Sequence, residues 1–219
     1  GWLVGDENAG LHAMFTMMNN ARLGVGIEGL SQCELATQKA LEFARNRKQG
    51  HAKIDNWKGV ILDHPDVRRM LITMKSLTAA VRALCLDAAL SLDLSKSNDK
   101  QTASKENARA SFLIPIAKAF STDIGCRVAD IGIQVHGGMG YVEETGVAQV
   151  FRDVRVTAIY EGTNGIQAID LVGRKLADSG KAANGLIDEM KLTISNCKNH
   201  EDQKTVSYTH LRAHETTDN

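Results

Sequence analysis

From residue 67 to 92 a single apolar stripe keeps helical spacing. Val67, Met70, Leu71, Met74, Leu77, Val81, Leu84, Cys85, Ala88 and Leu92 recur three and four residues apart. Such a stripe, about four heptads long, demands other helices to cover it. Asp63-His64-Pro65 opens it, with proline preset for a first helical turn. Two neighbours repeat the pattern. After Gly10 the series is Leu11, Met14, Phe15, Met18, Val25, Leu30, Cys33, Leu41 and Ala44. Beyond a polar loop at 95–101 it is Leu113, Ile116, Ala117, Phe120, Ile124, Val128, Ile131 and Val135, stopping at Gly137-Gly138. Pro115 is expected to kink this third helix or mark its effective start. A short helix or turn is expected over 143–150, a fourth helix from about Gly162 to Ala177, and a fifth over 184–197 with Leu186, Ile187, Met190 and Ile194 inward. The fold class is all-α, an antiparallel four-helix bundle.

Composition narrows the function classes. Lys and Arg number 26 against 26 Asp and Glu, so no overall field draws the chain to nucleic acid. Four separated cysteines, Cys33, Cys85, Cys126 and Cys197, form no CxxC pair and read as buried thiols rather than a disulfide or zinc framework, which fits a reducing compartment. No apolar run approaches a membrane span. Residues 1–5 read as strand and turn material from within a longer protein. Residues 204–219 have no apolar period and read as a non-native tail.

Three motifs carry chemistry. Gly24-Val25-Gly26-Ile27-Glu28-Gly29 fits G-x-G-x-x-G, but helix precedes it where a dinucleotide site needs a strand, so the glycines are expected to admit a close helix. Gln134-Val135-His136-Gly137-Gly138-Met139-Gly140-Tyr141 is either a glycine cap and turn or bare backbone that approaches a phosphate; His136 by itself reads as structural. Tyr160-Glu161-Gly162-Thr163-Asn164 sets a carboxylate after apolar 154–159. Either that carboxylate is desolvated into a usable base, or Glu161 or Thr163 caps the next helix. The connection over 49–61 is long enough to suggest a functional or mobile loop.

Four of these segments, in this order and spacing, resemble the acyl-CoA dehydrogenase family: Arg45 to Gln49, Gln134 to Tyr141, Phe151 to Arg155, and Ile159 to Asn164. The resemblance covers about residues 1–177, and strings such as 64–71 and 164–171 look like its bacterial 3-methylmercaptopropionyl-CoA dehydrogenase subgroup. It implies that residues 1–9 are the tail of a middle β domain, 10–180 the C-terminal bundle and 181–203 an added helix or linker. The implied chemistry is α,β-dehydrogenation of an acyl-CoA thioester with FAD as cofactor. Glu161 matches the family's base; residues 19–21 (Asn, Asn, Ala), at the alternative position, cannot take a proton. Arg47 and the turn Gln134, Val135, His136, Gly137 and Gly138 match residues that hold FAD of a neighbouring subunit, as Thr163 and Gly165 match an FAD-side segment. Arg22 and Gly162 match substrate-binding positions. Pro65 departs from the family, as does the length of 49–61. The implied partners are an acyl-CoA, an electron-transfer flavoprotein and further copies in a homo-oligomer, with no nucleic acid or membrane, in the cytoplasm. A non-catalytic helical oligomerisation module and an acyl-CoA oxidase remain the alternatives.

Overall fold

A computed structural model describes residues 1–52, 57–177 and 179–197. The tail at 204–219, part of the long connection at 53–56, and the side chains of Phe15 and Cys197 lie outside the described residues. The α-helices are α1 (Gly10–Asn46), α2 (Pro65–Leu94), α3 (Lys100–His136), α4 (Gly138–Tyr141), α5 (Val147–Thr157), α6 (Asn164–Asp170) and α7 (Lys181–Cys197). The described residues form no strand, only an isolated antiparallel bridge between Lys48 and Val60 that folds back the start and end of the 49–61 connection. The chain divides into Gly1–Arg174 and Lys175–Asn219.

Within the first unit, pairings fix the helix directions. Glu34 and Thr37 of α1 meet Arg82 and Thr78 of α2, so rising numbers face falling ones. Gly26 lies against Ala117, and further along α1 Ala36 lies against Gly132, so α1 and α3 run parallel. Val154 and Val147 of α5 meet Gly125 and Gly132 of α3 in the opposite sense. The result is an up-down-up-down bundle. Its centre is Gly132, where a Cβ would find Val147, Ala36 and Met74 all at 3.5–3.6 Å. Ala36, Met74, Val81, Cys33, Cys85, Val128, Val147 and Val154 are fully buried around it. Each fully buried aliphatic side chain of this kind contributes roughly 1.5–3 kcal/mol.

Three expectations are corrected. The fourth bundle helix is α5 rather than the segment after Gly162, because Val147, Val150 and Val154 place an apolar face at helical spacing while α6 ends after seven residues and runs into a π-helical turn at Leu171–Lys175. The start of α3 falls at Lys100, not at Pro115. Asp99 accepts hydrogen bonds from the Gln101 and Thr102 amides, and this cap begins a polar first stretch that an apolar-period reading passes over. Pro115 stays inside the helix, buried, offering no N–H to the carbonyl four residues back. In the second unit, Ile187 and Met190 of α7, expected inward, are exposed. An apolar stripe states a need for cover without supplying it.

Within the 24–29 motif, Gly29 admits a close helix as the helical reading expects, while Gly24 is exposed with nothing against it. A Cβ on Gly29 would lie 2.8 Å from the Ser121 carbonyl oxygen, and Gly125 opposite it has the Gly29 oxygen at 3.2 Å from its own ideal Cβ. Two backbones touch here, which only glycine permits.

Candidate functional site

Between α5 and α6 the chain makes a turn in which two consecutive residues have left-handed backbone, Glu161 at φ 54° and Gly162 at φ 84°. Glycine adopts this at no cost; a glutamate there gives up on the order of 1 kcal/mol. The turn is held from three sides. On α3, Lys118 donates from Nζ to the Gly162 carbonyl at 2.9 Å and to Asn164 Oδ1 at 3.0 Å. On α6, Gln167 donates to the Gly162 carbonyl at 3.0 Å and the Glu161 carbonyl at 3.3 Å. On α1, the Glu28 carboxylate accepts from the Tyr160 hydroxyl. Asn164 adds bonds to the Ala119 carbonyl, Thr122 and Asp123, all on α3.

Thr163 caps α6, its hydroxyl accepting from the Ile166 amide at 3.3 Å, so the capping alternative belongs to Thr163 while Glu161 stays half-buried above the turn. Gly165 is exposed beside it. Arg22 lies beneath: its Nη2 would be 3.8 Å from a Cβ on Gly162. The guanidinium is 4 % exposed and paired with Asp170 at 2.9 Å. Asp170 also holds Arg174 at 2.5 Å. Removing either member of such a buried pair would strand the other charge, at about 3–5 kcal/mol. The dry approach expected from 154–159 divides in two. Val154 is buried, but Val156, Ile159, Ile166 and Ile169 are exposed around the turn, an apolar rim open for cover.

Burial sets the titrations nearby. Desolvation lowers the Lys118 ammonium below the usual lysine range, with Arg22 acting in the same sense and Asp123 and Glu161 opposing it. Tyr160 is pushed up to about 12 by desolvation, by its bond to Glu28 and by the charges of Glu28 and Glu161.

The second group of expected residues gathers at the far end of α3. Gly137 takes φ 60° and ends the helix, and neither Gly137 nor Gly138 has any atom within 4 Å of where a Cβ would stand. Gln134 is exposed and Val135 buried. His136 is buried: its Nδ1 donates to the Gly132 carbonyl at 2.7 Å and its ring lies 4.4 Å from that of Phe43. This places the last turn of α1 alongside, and Arg47, one turn beyond Phe43, caps α1 with its side chain exposed. His136 therefore joins the two helix ends. From the helical rise, this end lies about 27 Å along α3 from Lys118. Structure brings together Arg22, Glu161, Gly162, Thr163 and Gly165 beside the middle of α3, and Arg47 with 134–138 at its C-terminal end.

Sequence reading passed over Lys118, Asn164, Gln167 and Asp170. One signal was present: Lys118 is the only charge in the run Phe112 to Phe120. A lysine is almost never fully buried unless its ammonium finds partners, so a lone charge in an apolar run marks a position to explain.

The described residues contain no cluster suited to a metal ion and no helix long and apolar enough to cross a membrane.

A bundle with a strained carboxylate turn beside the middle of α3 and an open diglycine turn at its C-terminal end is matched by a known family. The family profile described as acyl-CoA dehydrogenase, C-terminal domain, matches residues 8–176, and the chain belongs to the acyl-CoA dehydrogenase family. It is 47 % identical to a 3-methylmercaptopropionyl-CoA dehydrogenase of Ruegeria pomeroyi over 186 residues, 84 % of this chain and 32 % of that protein. It is 38 % identical to a butyryl-CoA dehydrogenase of Syntrophomonas wolfei, over 80 % of this chain and 30 % of that one. The solved butyryl-CoA dehydrogenase of Megasphaera elsdenii superposes with a TM-score of 0.66 at 29 % identity, over 78 % of this chain and 40 % of that one. The chain thus spans about a third of the length of the curated relatives it matches.

Proposed function

We propose that this chain is the C-terminal bundle of an FAD-dependent acyl-CoA dehydrogenase and that Glu161 is the base that removes the α-proton of the bound thioester. The observation that carries the reading is the Glu161–Gly162 turn: a glutamate in left-handed backbone, held by a buried lysine and a buried glutamine beside an open apolar rim. Backbone strain of this kind persists only where surroundings impose it, and it concentrates at reacting centres. Residues 1–9 are then the end of the preceding β domain, 10–180 the bundle and 181–203 an appended helix or linker.

The residues present fit a flavin dinucleotide. Arg47 offers an exposed guanidinium whose planar fork suits phosphate oxygens. Gln134 to Gly138 present backbone with open space above both glycines, so a diphosphate can approach without meeting a side chain. Thr163 and Gly165 lie on the Glu161 side. The 27 Å between these groups suits their serving two different copies of the cofactor in a homo-oligomer. FAD, when bound, accepts the β-hydrogen as hydride.

The chain's own part is proton chemistry and orientation. The Glu161 carboxylate takes the α-proton, and its backbone amide donates to the thioester carbonyl as negative charge develops there. Gly162 is a substrate-side position of the turn whose missing side chain leaves room for Gln167 Nε2, 2.9 Å from where a Cβ would stand, with Arg22 beneath. Cover over Val156, Ile159 and Ile166 excludes water from the proton transfer. The resemblance to the Ruegeria pomeroyi enzyme favours a short thioether acyl group, and an electron-transfer flavoprotein is the acceptor.

The test is anaerobic bleaching of flavin absorbance in the full-length flavoprotein on adding 3-methylmercaptopropionyl-CoA or a medium-chain acyl-CoA. Wild type bleaches rapidly, and Glu161→Gln slows bleaching about 10²–10⁴-fold. Equal bleaching in both moves the base elsewhere, and a protein without flavin returns the bundle to a purely structural role.

A further inference from the structure

Lys118 occupies a position that packing alone does not explain. It is 0 % exposed, in the middle of a 37-residue helix, and it makes no ion pair at contact distance among the described residues. Its Nζ instead spends two donors on neutral oxygens of one turn, the Gly162 carbonyl and Asn164 Oδ1. Burying an ammonium is expensive, and an apolar residue of the same length would fill the space without that cost. The same Gly162 carbonyl also receives Gln167 Nε2. Two buried donors from two helices therefore converge on the carbonyl of Gly162, the residue that follows Glu161. Asn164 is braced in turn on the Ala119 carbonyl, Thr122 and Asp123, so the acceptor of the lysine cannot swing away. The charges around the ammonium are Asp123 on its own helix, Arg22 on α1 and Glu161 on the turn.

Resting on the assignment of Glu161 as the base, we infer that Lys118 is a positioning residue for it: by gripping the Gly162 carbonyl it fixes the left-handed turn and aims the carboxylate at the substrate. The lysine touches neither substrate nor cofactor. It acts through the Gly162 carbonyl: by fixing the Gly162–Thr163 peptide it holds the left-handed Gly162 and the Glu161–Gly162 peptide before it, and so the direction in which the Glu161 Cα–Cβ bond leaves the backbone. Freed from this grip, Glu161 relaxes toward a right-handed conformation and its carboxylate moves by an ångström or more.

The full-length holoenzyme tests this with Lys118→Met, a substitution that keeps the length and removes the donors. A displacement of about 1 Å at a reacting group costs on the order of 10²-fold. Flavin reduction at saturating acyl-CoA is expected to slow about a hundredfold, with flavin content and the dissociation constant of the acyl-CoA unchanged. Hydrogen exchange at the amides of 160–164 should rise while that of the α1–α3 core does not. If Lys118→Met does not yield folded protein, Asn164→Ala, which removes one acceptor and the brace while leaving the lysine in place, should slow reduction about tenfold with the same unchanged binding. Wild-type reduction rates in either folded variant overturn the inference, as does a loss confined to substrate affinity. Glu161→Gln is run alongside: if it retains activity, the base assignment fails. If it is inactive while Lys118→Met is not, the positioning role alone fails.

Discussion

The contact between α1 and α3 allows two nearly identical substitutions to be assigned opposite signs. Gly24 and Gly29 lie five residues apart in the same helix, and each Gly→Ala change gains about 1 kcal/mol of helix propensity. At Gly24, exposed, a Cβ meets nothing within 4 Å, so Gly24→Ala should stabilise by close to that amount. At Gly29 the same methyl would stand 2.8 Å from the Ser121 carbonyl oxygen, 2.9 Å from its carbon and 3.1 Å from the Thr122 nitrogen. All three are backbone atoms, so no side chain can rotate away and the helices must separate by several tenths of an ångström. Overpacking of this kind costs about 1–3 kcal/mol, and backbone on both sides puts the cost in the upper half of that range. Subtracting the propensity gain leaves a net loss of about 1–2 kcal/mol. The separation would also disturb the buried Cys85–Ser121 contact at 3.1 Å. Urea unfolding followed by far-ultraviolet circular dichroism measures both variants against wild type. A midpoint raised in Gly24→Ala and lowered in Gly29→Ala is the expected pattern. If both rise together, the two backbones do not meet at Gly29 and the packing account of the motif is wrong.

Two further expectations concern titration. Burial lowers the pKa of His136, only partly offset by its bond to the Gly132 carbonyl, and Lys39 lowers it further. Because the folded value lies below the unfolded one, His136 contributes its full stability above about pH 6.5 and loses it as pH falls and the unfolded chain takes up the proton first. The stability difference between wild type and His136→Gln should therefore narrow from pH 8 to pH 5 in chemical denaturation; a constant difference contradicts the burial. Desolvation pushes the Cys33 thiol up to about 12, and the Cys85 thiol is also raised. Neither should react with an aromatic disulfide reagent at pH 8 until denaturant is added, so labelling of either in protein with native circular dichroism would contradict their placement.

The helices were legible because each stripe repeats over many turns. For α1 and α2, the starts were legible too, since Gly10 and Pro65 punctuate them. The start of α3 was not, because its cap is a single aspartate followed by ten residues with almost no apolar period, while Pro115 drew attention to the wrong place. The role of α5 was missed because an 11-residue helix offers only three buried valines, and which short helix completes a bundle is decided by what it packs against. The site shows the same division. Glu161, Gly162 and the diglycine turn belong to contiguous motifs and could be named. Lys118 and Gln167 reach the turn from separate helices, and nothing in the spacing of residues 118, 162 and 167 reveals that the first and last converge on the carbonyl of Gly162. The Arg22–Asp170 pair, 148 positions apart, was equally out of reach.

The left-handed backbone at Glu161 also bears on how such a chain drifts. Wherever proton abstraction ceases to be needed, glycine becomes the downhill residue at this position, relieving the backbone and discarding the carboxylate in one step. On the role proposed for Glu161, loss of the base then arrives as a gain in stability, so selection for fold alone erodes this site instead of preserving it. A descendant that keeps glutamate here is held to it by chemistry, against the pull of its own main chain.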